Sequence, residues 1–120
     1  MIDNNYLQVI KVGGNISTGN YPLFHSTGLK FLEVGGTISG NDNVNYQTSG
    51  SWIVHLSYNG VACAPGRLLM TRVSTVYVGP GESEAGDQAI LDEYLADTNW
   101  SAYSSKLATW SSYSGQYKTE

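Results

Sequence analysis

Charge is what this chain has least of. Charged residues make up 13% of its 120 positions, about half the share of an average globular domain. Six Lys and Arg cannot build the basic patch that grips a phosphate backbone, and a net charge of -4 opposes one, so nucleic-acid binding is excluded. A single cysteine, Cys63, rules out an intrachain disulfide framework. No apolar run approaches the roughly 18 residues of a membrane span, and the polar start from Met1 to Asn5 lacks the basic and apolar regions of a secretory signal. The two histidines stand in no HExxH arrangement, and neither CxxC nor GxSxG occurs.

What is present is turn-forming and aromatic: fourteen Gly, nine Tyr and three Trp, with all but two of the glycines before Glu82. The segments Tyr6 to Val12, Leu29 to Val34, Trp52 to Tyr58 and Arg67 to Val78 are rich in β-branched and aromatic residues between Gly, Asn or Pro, and are expected to be strands. In the third of them Trp52, Val54, Leu56 and Tyr58 share one face, with Ile53, His55 and Ser57 opposite. The fourth is apolar in both registers, as suits a central strand covered on both sides. LQVIKVGGNIS at 7–17 recurs as LKFLEVGGTIS at 29–39, with a fainter echo, VSTVYVGPGES, at 73–83. The spacing is 22 residues and then three times that. Read locally, each copy is a strand, a Gly-Gly turn supplying positive φ and a short return strand, a repeated hairpin.

After Pro80 the period changes from two to three and four. Ser83 is placed to cap a helix whose first turn holds Glu84 and Asp87, and Ile90, Leu91, Tyr94 and Leu95 make its apolar stripe. Trp100, Tyr103, Leu107 and Trp110, spaced three, four and three, predict a second helix, or a continuation of the first. The expected fold is therefore α+β in one domain over 1–120. An antiparallel β-sandwich or small barrel built of hairpins occupies about 6–82, one or two C-terminal helices occupy about 83–113, and 115–120 form a tail. The charges divide along the same line. Up to residue 81 three acids face four bases, whereas Glu82, Glu84, Asp87, Asp92, Glu93 and Asp97 gather around the helix.

Few residues offer chemistry. His25, His55 and Cys63 are the only candidate nucleophile and bases, and Cys63, in VACAP, reads as a small buried hydrophobe. Gly79-Pro80-Gly81 precedes a helix as a phosphate loop does, but three acids already occupy that helix start and no Lys or Arg lies between Arg72 and Lys106. Gly40 to Asn45 holds one carboxylate, too few for calcium, and reads as a polar loop. No catalytic residue, cofactor or metal is expected. Tyr46, Trp52 and Tyr58, with Asn, Asp and Gln nearby, are the residues a sugar ring would stack on.

The run DTNWSAYSSKLATW, from Asp97 to Trp110, resembles the terminal helices of small tail-associated structural proteins of tailed bacteriophages. The resemblance implies a virion component, a head-decoration, tail or fibre-adaptor subunit, located in the particle and partnered by itself as a homo-oligomer and by other virion proteins. Aromatic anchors in a Lys-poor stretch suit such an interface, so Trp100, Tyr103, Leu107 and Trp110 are its expected partner-binding residues. The leading expectation is thus a non-enzymatic structural protein without nucleic acid or membrane. A carbohydrate- or receptor-binding β-sandwich using Tyr46, Trp52 and Tyr58 is the alternative.

Overall fold

The computed structural model describes residues 2–3, 7–47 and 49–118. Its strands are β1 (Ile2–Asp3), β2 (Val9–Val12), β3 (Ile16–Ser17), β4 (Phe24–His25), β5 (Phe31–Val34), β6 (Ile38–Ser39), β7 (Trp52–Leu56) and β8 (Val73–Val78), then helix α1 (Glu84–Ala96) and strand β9 (Leu107–Thr109). Every pairing among them is parallel. The antiparallel sandwich or barrel of hairpins is therefore overturned: the chain winds as a β-solenoid.

The reason lies in the repeat. Val9 stands beside Phe31, Phe31 beside Ile53 and Ile53 beside Thr75, each 22 residues after the last. Parallel strands cannot be joined by a tight turn and need a long return path, which here is the rest of one coil. Each repeat supplies a strand to a main sheet ordered β2-β5-β7-β8-β9 and turns a corner into a second face, β3-β6. The second face continues through Ile38 N, which donates to Ala62 O. A third face holds β1-β4, extended by the bridge from Phe24 to Asn45. Ile10, Leu32, Val54 and Val76 occupy one phase of the repeat and all point inward, so the core is a column of like side chains.

The Gly-Gly segments are corners between faces rather than hairpin turns. None of Gly13, Gly14, Gly35 and Gly36 is among the residues of positive φ. What they supply is closeness. A Cβ on Gly36 would lie 2.7 Å from the Gly14 carbonyl carbon and 2.8 Å from Asn15 N, and one on Gly35 would run into the Gly13 carbonyl. Polar side chains also tie coil to coil: Asn15 Oδ1 accepts from Thr37 N at 2.8 Å at this corner, and Asn45 Oδ1 from Ser26 N at 2.9 Å at another.

Two further expectations are corrected. The strand expected over Arg67 to Val78 is shorter, because 65–67 form a 3-10 turn and Leu69, at φ +52, reverses the chain before β8 begins. The first helix forms as expected, with the Ser83 hydroxyl accepting from Gly86 N at 3.0 Å. The second does not: 101–106 and 110–112 are 3-10 turns, and 107–109 form β9 against β8. Three-four-three spacing imitates a helix, but here the unpaired edge of β8 takes the segment as a strand instead.

Candidate functional site

Alternation along the main sheet sends Phe31, Glu33, Ile53, His55, Thr75 and Tyr77 outward while their neighbours fill the core. The chain after β9 folds back over this outer face. The Trp110 ring stacks on His55 at 3.8 Å between centroids, and Tyr117 on Phe31 at 4.8 Å. Lys118 pins the strap, donating through Nζ to the Trp110 and Tyr113 carbonyls at 2.9 and 3.1 Å. Beneath it His55 Nε2 donates to Gly79 O at 2.8 Å and Nδ1 lies 2.9 Å from Glu33 Oε1. Both nitrogens and one ring face of His55 are thus engaged within the chain.

Cys63 is in the interior core, away from that face. Burial pushes its thiol up to about 12, the weaker opposing pull being Arg67. A thiol so shifted is not a nucleophile at neutral pH. Among the described residues no three His, Cys, Asp or Glu side chains gather as metal ligands. The amides after Pro80 face a carboxylate, Gly81 N donating to Asp87 Oδ1 at 3.0 Å, where a phosphate loop would leave them open. In the polar loop, Asp42 Oδ1 accepts from Asn43 N within the loop, and Asn41 Nδ2 donates to Asn20 Oδ1 of the neighbouring coil.

The residues expected to bind a partner are used inside the chain. Trp100 is fully buried; its Nε1 donates to Cys63 O at 2.6 Å and its ring meets Tyr94 edge-on. Trp110 is 7% exposed beneath the strap, and Tyr103 and Leu107 are half-buried against the core. Of the three sugar-stacking candidates Trp52 is core, Tyr58 sits at the surface beyond β7, and Tyr46 is exposed. Tyr46, with Pro22, His25, Asp42 and Asn43, lines a mostly apolar groove of about 440 Å³. The structure does not bring the two sets of candidates together.

The two ends of the solenoid differ. At the far end α1 packs on β8 and β9, and Asp87, wholly buried, accepts from Gly81 N, Ser111 N and Ser111 Oγ. At the near end β2 pairs only with β5, and β3 only with β6, among the described residues, as β9 pairs only with β8 at the far end; what the near end lacks is a helix like α1. Gly13 and Gly14 are exposed there, and a Cβ on either would meet nothing among the described residues within 4 Å. The sequence signal of this end is the repeated Gly-Gly pair, which has the same pattern in a turn and in a solenoid corner. No protein family, no characterised protein and no solved structure matches the chain.

Proposed function

We propose that the chain is a non-enzymatic structural module, an assembly subunit that offers the open coil at its near end to further β-structure and keeps the far end capped. One observation carries this. Gly35 and Gly36 are glycine because a coil lies against them, and Gly13 and Gly14 are glycine with nothing against them among the described residues. A glycine without a positive φ or a close neighbour only weakens the folded state through backbone entropy, so the pair fits a coil that is covered in use. A parallel edge left open is also a template for strand addition.

Of the virion setting only the resemblance of Asp97 to Trp110 speaks, and that stretch forms 3-10 turns and a strand rather than terminal helices. The proposal is accordingly the assembly role and not a particular particle. Tandem duplication of residues 7–28 ahead of Leu7 tests it directly. A stackable end yields a chimera that melts higher than the parent and gains β signal in circular dichroism. A chimera that melts lower overturns the reading.

A second reading, carbohydrate binding, has its own observation: the exposed Tyr46 ring borders the groove that Asp42 and Asn43 rim with polar groups. A glycan array that binds the parent and not Tyr46→Ala supports it, and one dark for both removes it.

A further inference from the structure

We infer that the strap over the main sheet, 110–118, is a proton-set clasp: it is closed while the His55–Glu33 pair holds a proton between Nδ1 and Oε1, and it lets go when that proton leaves. The clasp lies on a side of the coils and is independent of the assembly reading above.

The proton count follows from the partners. A backbone carbonyl only accepts, so the contact with Gly79 O fixes a proton on Nε2. An ionised carboxylate also only accepts. At 2.9 Å a bare Nδ1 would set lone pair against lone pair, so the closed geometry needs a second proton at that contact. Whichever atom carries it, the pair then holds one proton more than a neutral ring beside an ionised Glu33. The Glu33 side chain is 29% exposed, which gives that proton a way to water, and histidine is the side chain whose charge changes near neutrality.

The strap feels the loss through Trp110, stacked on His55 at 3.8 Å and 11°. A protonated imidazole presents positive charge to the electron-rich face of that ring. Without the proton the attraction goes, Nδ1 and Oε1 repel, and a His55 ring that turns away from Glu33 displaces the Trp110 ring lying on it. Other charged and titratable groups surround the pair. Lys11 comes from β2, Tyr77 from β8, and Tyr113, Tyr117 and Lys118 from the strap; Glu84 and Asp87 of α1 hold Thr109 and Ser111. Glu33 sets the sign because it touches His55. Lys11 stands two strand spacings away, about 10 Å, and Lys118 lies across the Trp110 ring at 5.3 Å. Burial pushes the Tyr77 phenol up, so it keeps its proton as the pair titrates. Closure is therefore complete at low pH and lost as pH rises.

NMR of the full chain over about pH 5–9 tests this. The ring protons of Tyr117 are the probe, because they report stacking on Phe31 rather than the charge on His55. They should lie upfield at the acid end and lose most of that shift as pH rises, with the midpoint of the His55 Hε1 resonance, while the Val54 and Val76 methyls stay in place. Glu33→Gln supplies an amide that donates to a bare Nδ1, so its Tyr117 shift should stay upfield throughout. A parent Tyr117 shift that is constant over the range, or that moves apart from His55, overturns the inference. So does a Glu33→Gln variant that titrates like the parent, and the parent titration decides alone if the variant misfolds.

Discussion

The two ends of this solenoid solve the same problem in opposite ways. A coil can bury one side of its strands only on another coil, so the last coil at each end faces water unless something non-repetitive covers it. At the far end the repeat is abandoned. After β8 the chain turns at Gly79 and Gly81, both at positive φ, inserts α1, and returns to the sheet at β9 with Leu107 beside Val76, 31 residues on instead of 22. Tyr94 and Trp100 then fill the space under the cap. At the near end the repeat stays intact to its edge. Capping requires leaving the period, and an end that keeps the period keeps the ability to accept a coil.

Twin substitutions at equivalent corners give the largest contrast. Gly36→Val drives a branched side chain into the Gly14 and Asn15 backbone and is expected to cost about 3 kcal/mol or more, whereas Gly14→Val leaves the monomer within about 0.5 kcal/mol of the parent. Urea unfolding of both variants measures this. Equal losses would mean that the near-end corner is not open, and the difference between the ends would disappear.

Asp87 is the corresponding lever on the cap. Replacing it with Asn keeps the volume but weakens the bonds from Gly81 and Ser111, with an expected loss of about 2 kcal/mol. The far end should fray first, so hydrogen exchange should rise in α1 and β9 before it rises in β2 and β5. Uniform exchange would show that the cap is not a separate unit of stability.

Much of this division was legible beforehand, and the parts that were not have physical causes. The 22-residue interval, α1 with its Ser83 cap, and the inward Trp52, Val54 and Leu56 were all readable, because each depends on local periodicity. The parallel winding was hidden because Gly-Gly between two strands looks the same as a turn and as a solenoid corner. Only the constant phase of Ile10, Leu32, Val54 and Val76 separates them: one 22-residue step always lands inward, as stacking requires and hairpins do not. The strap was hidden for a different reason. Trp110 stacks on His55 because β9 is added to the sheet, a contact that helical spacing could not suggest. The candidate site was hidden with the winding, since Gly13-Gly14 marks an open corner only when Gly35-Gly36 is known to stack on it.

Alkali should also separate the ends. Burial raises the Cys63 thiol from 9.0 to about 12 and raises the Tyr94 phenol as well, Ala62 N donating to the Tyr94 hydroxyl from beside the cap. Both acids stay protonated in the folded chain while the unfolded chain ionises. The stability they contribute is therefore whole below pH 9 and lost as pH climbs from 9.0 toward 12. At pH 10 the Cys63 share of the loss is about 1 kcal/mol, which Cys63→Ala should remove from the slope of stability against pH. An unchanged slope would place the alkaline sensitivity elsewhere.

The smallest effect is the one whose sign matters most. Gly13→Ala adds a methyl where nothing lies within 4 Å and φ is not positive, so by narrowing the unfolded ensemble it should stabilise the monomer by about 0.5 kcal/mol. Gly35→Ala, one coil on, meets the Gly13 carbonyl and should destabilise it. If the near end is a docking edge, the methyl at residue 13 also stands where an added coil arrives, so the variant that melts higher alone should gain less from the duplicated coil ahead of Leu7. Calorimetry of Gly13→Ala with and without the duplication reads the two signs independently. A glycine whose replacement improves the lone chain and harms the stack is selected by the stack. If Gly13→Ala strengthens both, that corner owes its glycine to no stacked neighbour, and the open end is simply an edge.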